Sequence, residues 1–356
     1  MACGGASDSL SEAISPIATL KTMKKNLSII AAMALLAAVA VSCGEVKRGE
    51  YVKGADTIYC DDGFRNILEE EIDVFEYTYP GSSIIPKYVS EADAVDAIMG
   101  DSTQAVIVTR EFTPEQIKYV RDNYKRVIKQ RCIAVDAVGL IVNKDNLLSE
   151  ISMEDIGKIM NGEITKWSQL ALPDTADIRI VFDNEASSTV SYMREKFLDG
   201  KPITDNPNVH VFAQRNNREV FDAIKSNRNA IGIISVSWLG DSLEMAHKVP
   251  VEQRIEGYEE DGDIIAKELT TEVKVLAVQN PAELNDYTLV AYKPYQAYIA
   301  TGDYPLFRKV FMVTSASNST LMKSFYDFMT GFVGQKIIAN TGILPYHMNP
   351  RVVQLQ

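Results

Sequence analysis

The sequence predicts an α/β protein built on mainly parallel sheets, and two observations carry that expectation. Short apolar segments alternate with segments whose apolar residues recur at helical spacing, a βαβα order that calls for a parallel sheet covered by helices on both faces. The chain is also 356 residues long, which fits two domains better than one.

The first elements follow in order. Residues 57–61 form a short strand. Phe64, Ile67, Leu68, Ile72, Phe75 and Tyr79 then share one helical face, and Pro80-Gly81 ends that helix. Residues 83–89 predict a strand, 92–99 a short helix, and 105–109 a buried strand without polar alternation. Thr113-Pro114-Glu115-Gln116 carries a capping box with Pro in the first turn, so a helix starts there.

A second series begins with the long apolar strand 133–142. Ser152 caps a helix through Met160. Residues 178–182 are a strand that ends in Asp183-Asn184-Glu185-Ala186-Ser187-Ser188-Thr189, and a helix runs on to about Leu198. Strands at 209–212 and 231–235 flank a helix at 219–226. Residues 241–270 are polar and read as loops, and the tail from Leu321 through Phe332 reads as one amphipathic helix.

The N-terminus carries targeting signals. Met23-Lys24-Lys25 is basic, and residues 29–41 are an apolar run of signal-peptide length ending in Ala40-Val41-Ser42-Cys43-Gly44. Small residues before a cysteine resemble the bacterial lipoprotein processing site, which makes Cys43 the lipidated residue. The alternative is an ordinary signal peptide. Residues 1–22 read as an upstream extension, 23–42 as the signal peptide and 43–54 as a tether, which places the protein in the cell envelope, anchored by lipid to a bacterial membrane.

Composition narrows the function. A net charge of -12 argues against nucleic acid or an anionic membrane surface as a general partner. It leaves room for one small anion held by N–H groups. The histidines His210, His247 and His347 are far apart, so no metal cluster or cofactor is expected, and no Ser–His–Asp or Cys–His set suggests an enzyme. Adjacent Asp61 and Asp62 would point to opposite faces of a strand rather than act as an acid/base pair. Cys60 and Cys132 fall in the mature chain, and the sequence leaves their pairing open.

Several segments taken together resemble one family. They are Ala137–Asn146, running on through Asn161-Gly162-Glu163-Ile164-Thr165-Lys166-Trp167, then Ala230-Ile231-Gly232-Ile233-Ile234-Ser235, Tyr304-Pro305-Leu306, and Gly334-Gln335-Lys336-Ile337-Ile338 followed by Gly342-Ile343-Leu344-Pro345. Over residues 55–350 the chain is similar to the phosphate-binding proteins of phosphate ABC transporters, which have the type 2 periplasmic-binding-protein fold. The resemblance implies two lobes joined by crossing strands, residues 55–134 plus 301–356 and residues 135–300, closing on a ligand by hinge motion. It further implies a monomeric solute-binding protein that delivers phosphate to an ABC permease. The other reading is a lipid-anchored binding or sensory protein of the same fold with a changed ligand.

The resemblance also points to site residues. Ala186-Ser187-Ser188-Thr189 stands where the family has Gly-Ser-Gly-Thr, between a strand end and a helix start, where free N–H groups and the helix dipole suit an anion. Simple helix capping is the alternative. In the first lobe, Asp61, Asp62, Gly63 and Phe64 replace a Ser/Thr-rich loop. Gly63 and Phe64 offer N–H groups, and either acid suits a proton from monohydrogen phosphate; alternatively Asp62 caps the following helix. Ser90 matches a phosphate-contacting serine. Thr109 and Arg110 end a strand beside the expected cleft, with a salt bridge from Arg110 to Glu111 as the alternative. Two positions depart from the family: Gln104 replaces a proton-accepting Asp, and Asp183 replaces an Arg. Asp61 or Asp62, with Arg65 or Arg110, is expected to compensate.

Overall fold

A computed structural model describes residues 52–203, 207–240, 249–259, 268–285, 288–315 and 319–347. Cys43, the signal segment and most of the tether lie outside the described residues. The chain opens with β1 (Gly54–Asp61), a 3-10 turn (Asp62–Phe64) and α1 (Arg65–Thr78). Next come β2 (Ser82–Val89), α2 (Glu91–Met99), β3 (Ala105–Val108), α3 (Pro114–Tyr124) and β4 (Lys129–Val142). The second series holds β5 (Glu150–Ser152), α4 (Met153–Met160), β6 (Arg179–Phe182), α5 (Ser188–Phe197), β7 (His210–Ala213), α6 (Asn217–Ser226) and β8 (Ala230–Ser235). After α7 (Val251–Glu259) follow β9 (Lys274–Val275), β10 (Ala277–Asn285), β11 (Thr288–Tyr292) and α8 (Gln296–Thr301). β12 (Phe307–Thr314), α9 (Thr320–Met329), α10 (Phe332–Asn340) and β13 (Leu344–Pro345) complete it.

The main sheet runs β2-β1-β3-β12-β4-β8-β6-β7. β1 pairs in parallel with β2 and β3, and β6 pairs in parallel with β7 and β8. The antiparallel pairings of this sheet all involve β4 or β12, and the short strands β9 and β13 also pair antiparallel with β4. Residues 129–137 of β4 pair with β12, while Val138–Val142 pair with β8, so one strand serves both halves of the molecule. These are the crossing strands of a two-lobed fold. Each half packs its own core. Ile58, Leu68, Phe75, Met312 and Phe325 lie in one cluster, and Leu140, Trp167, Phe182, Met193 and Ile233 in another. Burial of these side chains supplies the main stabilisation, at about 25 cal/mol per Å² of apolar surface.

Local signals were reliable where a side chain caps its own helix. The Thr113–Gln116 capping box forms in both directions, and Ser152 Oγ accepts from the Asp155 N–H. Two expectations need correction. Residues 251–259, expected as loop, form α7, whose Tyr258 packs with Val74 of α1 and Ile337 of α10. The C-terminal amphipathic segment is two helices, not one, because the chain breaks at Thr330-Gly331. Gly334 lets the second helix close on the first: a Cβ there would stand 2.5 Å from Phe328 O and 2.6 Å from Met329 Cα. Among the described residues no helix is long and apolar enough to cross a membrane.

Candidate functional site: the interlobe cleft

The C-terminal ends of the parallel strands β1, β6 and β8 meet where β4 and β12 cross. In open α/β sheets this edge is where ligands bind. β1 delivers Asp61, which is 1% exposed, and the turn after it supplies Asp62, Gly63 and Phe64, all buried. From the other half, β6 delivers Asp183, and α5 starts with Ser187 as its N-cap, so Ser188 and Thr189 offer first-turn N–H groups.

The two halves are directly bonded. Asp61 Oδ2 accepts from the Ser188 N–H at 3.0 Å, while its Oδ1 accepts from the Gly63 N–H at 2.9 Å. Asp62 Oδ2 accepts from the Asn217 N–H at 3.3 Å at the start of α6, and its Oδ1 takes Arg65 Nη2 at 2.7 Å. Ser237 Oγ donates to Gly63 O at 2.8 Å. It is therefore Asp61, not Asp62, that caps the turn following β1.

Beneath these contacts lies a buried charge network. Arg308 of β12 pairs with Asp136 of β4 at 2.9 Å and donates through Nη2 to Thr189 Oγ1 at 3.3 Å. Asp136 also accepts from Ser235 Oγ at 2.9 Å, and the Arg308 guanidinium lies 5.4 Å from the centre of the Phe64 ring. Asp183 accepts from Ser187 Oγ at 2.5 Å and from Asn217 Nδ2 at 3.2 Å. Burial, and then the Asp61 charge, push the Asp183 carboxyl up to about 7. Burial also raises Asp61 and Asp136, against the lowering pull of Arg308 on both.

The remaining sequence-predicted residues gather at a neighbouring wall. Ser90 caps α2, accepting from the Asp93 N–H and donating to Asp93 Oδ2 at 2.7 Å. Thr109 gives both its N–H and its hydroxyl to Glu91 Oε1. Arg110 is exposed and makes no ion pair with Glu111. It lines a cavity of about 450 Å³ with Thr109, Tyr192, Glu91 and Arg308. Arg308 thus touches both groups of residues. Gln104 is half-buried, and its side-chain oxygen has no partner among the described residues. Cys60 and Cys132 are buried and free, so the pairing left open by the sequence does not occur.

Arg308, Asp136, Asn217, Ser235 and Ser237 were missed by the sequence reading. A signal for Asp136 was present: it is the one charge within the apolar run 132–142 of β4, and buried charges require partners; Arg308 lies next to Lys309 near the start of β12 and carries no such mark. Among the described residues no group of three His, Cys, Asp or Glu side chains is placed to hold a metal ion.

A model of the PBP superfamily domain matches residues 54–331. The chain belongs to the PBP superfamily. Among the relatives of this superfamily member, the phosphate-binding protein PstS of Borreliella burgdorferi is 23% identical over 256 residues, covering 70% of this chain and 75% of that one. The phosphate-binding protein PstS of Pseudomonas aeruginosa is 20% identical over 242 residues, covering 63% and 73%. A Clostridium perfringens substrate-binding protein solved with phosphate bound superposes with a TM-score of 0.62 at 19% identity, over 82% of this chain and 99% of that one. An ABC-type phosphate transport receptor from Vibrio cholerae gives 0.56 at 17% identity, over 82% and 100%. At these identities the structural likeness speaks for the fold.

Proposed function

We propose that this chain is the solute-binding component of an ABC importer that captures phosphate or a related oxyanion in the interlobe cleft. Its lobes comprise residues 55–134 plus 301–356 and residues 135–300, hinged where β4 and β12 cross, and Cys43 carries the lipid that holds it at the cell envelope. The work is capture and delivery to a permease rather than catalysis.

One observation carries this reading. Among the described residues Ser188 Oγ and Arg308 Nη1 are buried donors without an acceptor, beside the start of α5. An unsatisfied buried donor costs about 1–3 kcal/mol, so a site keeps such groups where a ligand or its water supplies the acceptors. Oxyanions are acceptor-rich, and the helix dipole and guanidinium both favour negative charge. The donors Gly63 and Ser188 face each other from opposite halves, as a closing clamp requires. In this reading Ser187, Thr189 and Phe64 frame the seat, supported by the bond of Arg308 to Thr189 and its place over Phe64, while Thr109 and Arg110 line the cavity that Arg308 also lines, and Ser90 caps the helix that carries Glu91 of that lining.

The second reading is a lipid-anchored sensory or binding protein with a changed ligand. The Asp61 carboxylate lying on Ser188, with Asp62 and Asp183 beside it, favours that reading. Calorimetric titration of phosphate, with sulfate and molybdate alongside, separates the two. Saturable phosphate binding, weakened about tenfold or more in Arg308→Lys, is expected of the importer component. A folded protein that binds none of the three would move the assignment to the second reading.

A further inference from the structure

We propose that the Asp61 carboxylate is an internal ligand: it occupies the oxyanion seat at the start of α5, holds the two halves together in the empty protein, and must be displaced by an incoming anion. The identity of the displacing anion rests on the function proposed above; the occupancy of the seat does not.

The geometry is that of a bound anion. Asp61 lies at the end of β1, and Ser188 is 127 residues further along, at the first position of α5. One carboxylate oxygen takes the Ser188 N–H at 3.0 Å and the other takes the Gly63 N–H at 2.9 Å, one donor from each half. A bridging oxyanion would receive the same pair. The carboxylate edge, two oxygens on one carbon, presents acceptors much as one edge of a tetrahedral oxyanion does. Gly63 makes the fold-back possible, because a Cβ there would stand 2.9 Å from Asp61 Oδ1.

What the carboxylate leaves unmet is also informative. With only two oxygens in the seat, Ser188 Oγ and Arg308 Nη1 remain without acceptors among the described residues, although Ser188 is fully buried and the Arg308 side chain is 3% exposed. A tetrahedral anion has further oxygens for these donors. The surrounding charges resist joint occupancy. Asp62 of the turn, Asp183 just after β6 and Glu91 of α2 add negative charge near Asp61, against Arg308 of β12. A dianion would enter only as Asp61 swings out or takes up a proton, so Asp61 competes with the solute and sets which anions are accepted.

Two variants of the full chain test this. Asp61→Ala removes the internal ligand. Ser188→Pro removes the N–H it bonds to, together with the unpaired Ser188 hydroxyl, at a first-turn helix position where proline is tolerated and after an extended Ser187 that suits a following proline; for that reason it reads the opening of the halves and not the affinity for phosphate. In small-angle scattering without phosphate, both variants should show a larger radius of gyration than the wild type. Added phosphate should close Asp61→Ala, and calorimetry should show it binding phosphate about tenfold or more tighter than the wild type does. Variants that stay as closed as the wild type would overturn the proposal, as would phosphate binding that weakens in Asp61→Ala. Opening of both variants with no phosphate binding by any protein would support the internal ligand and instead remove phosphate as its displacer.

Discussion

Burial pushes the Asp183 carboxyl up to about 7, and the Asp61 charge adds to it. The unfolded chain releases that proton near the ordinary aspartate value, so between about pH 4 and 7 the folded state binds more protons than the unfolded one. Stability from this group is therefore full at low pH and lost as pH rises through about 7. Urea titrations from pH 4.5 to 8 should show a decline, with roughly 2–4 kcal/mol attributable to Asp183, and Asp183→Asn should flatten the slope. Arg308 makes a different case, since its partner Asp136 is wholly buried. Arg308→Met should cost roughly 3–5 kcal/mol because it strands that carboxylate, and adding Asp136→Asn should recover part of the loss. Denaturant midpoints of the single and double variants check this.

Among the elements, α7 and the α9–α10 pair show how packing overrides local pattern. α7 is short and polar, and its own sequence gives little reason to fold as a helix. It is held by Arg254, whose buried guanidinium bonds Glu70 and Asp73 of α1, and by the Tyr258 hydroxyl on Glu70. Arg254→Ala should release α7, seen as faster amide exchange over residues 251–259 and a lower melting temperature. The break falls at Gly331, which is extended and where a Cβ would stand 3.1 Å from Asp327 O, so a glycine rather than a proline ends α9 and turns the chain into α10. Gly334→Ala should destabilise by about 1–3 kcal/mol, because the added carbon meets backbone that cannot yield cheaply. A thermal melt reads this directly.

For the whole molecule, the capture proposed above would work through two halves joined along β4, whose residues 129–137 pair with β12 and whose residues 138–142 pair with β8. A ligand that binds only the closed form stabilises it by mass action. Phosphate at 100 times its dissociation constant should add about 2.7 kcal/mol, measurable as a rise in melting temperature that is reduced in Arg308→Lys.

How much of this was legible can be judged from particular residues. Alternating apolar segments fixed the βα order, since a strand or helix face must be apolar to be buried wherever it later packs. Caps such as Thr113, Ser152 and Ser187 were equally readable, because each bonds only to its own first turn. The position of α5 after β6, and hence of Ser188, followed from the same local signals. Its partner did not. That Asp61 reaches across 127 residues to Ser188, that Arg308 neutralises Asp136, and that α7 docks on α1 were decided by tertiary structure alone. These contacts join residues far apart in the chain. Their energies come from desolvation and facing charges, which exist only after the halves have met, whereas helix caps and apolar periodicity act within a few residues and leave their trace in the sequence.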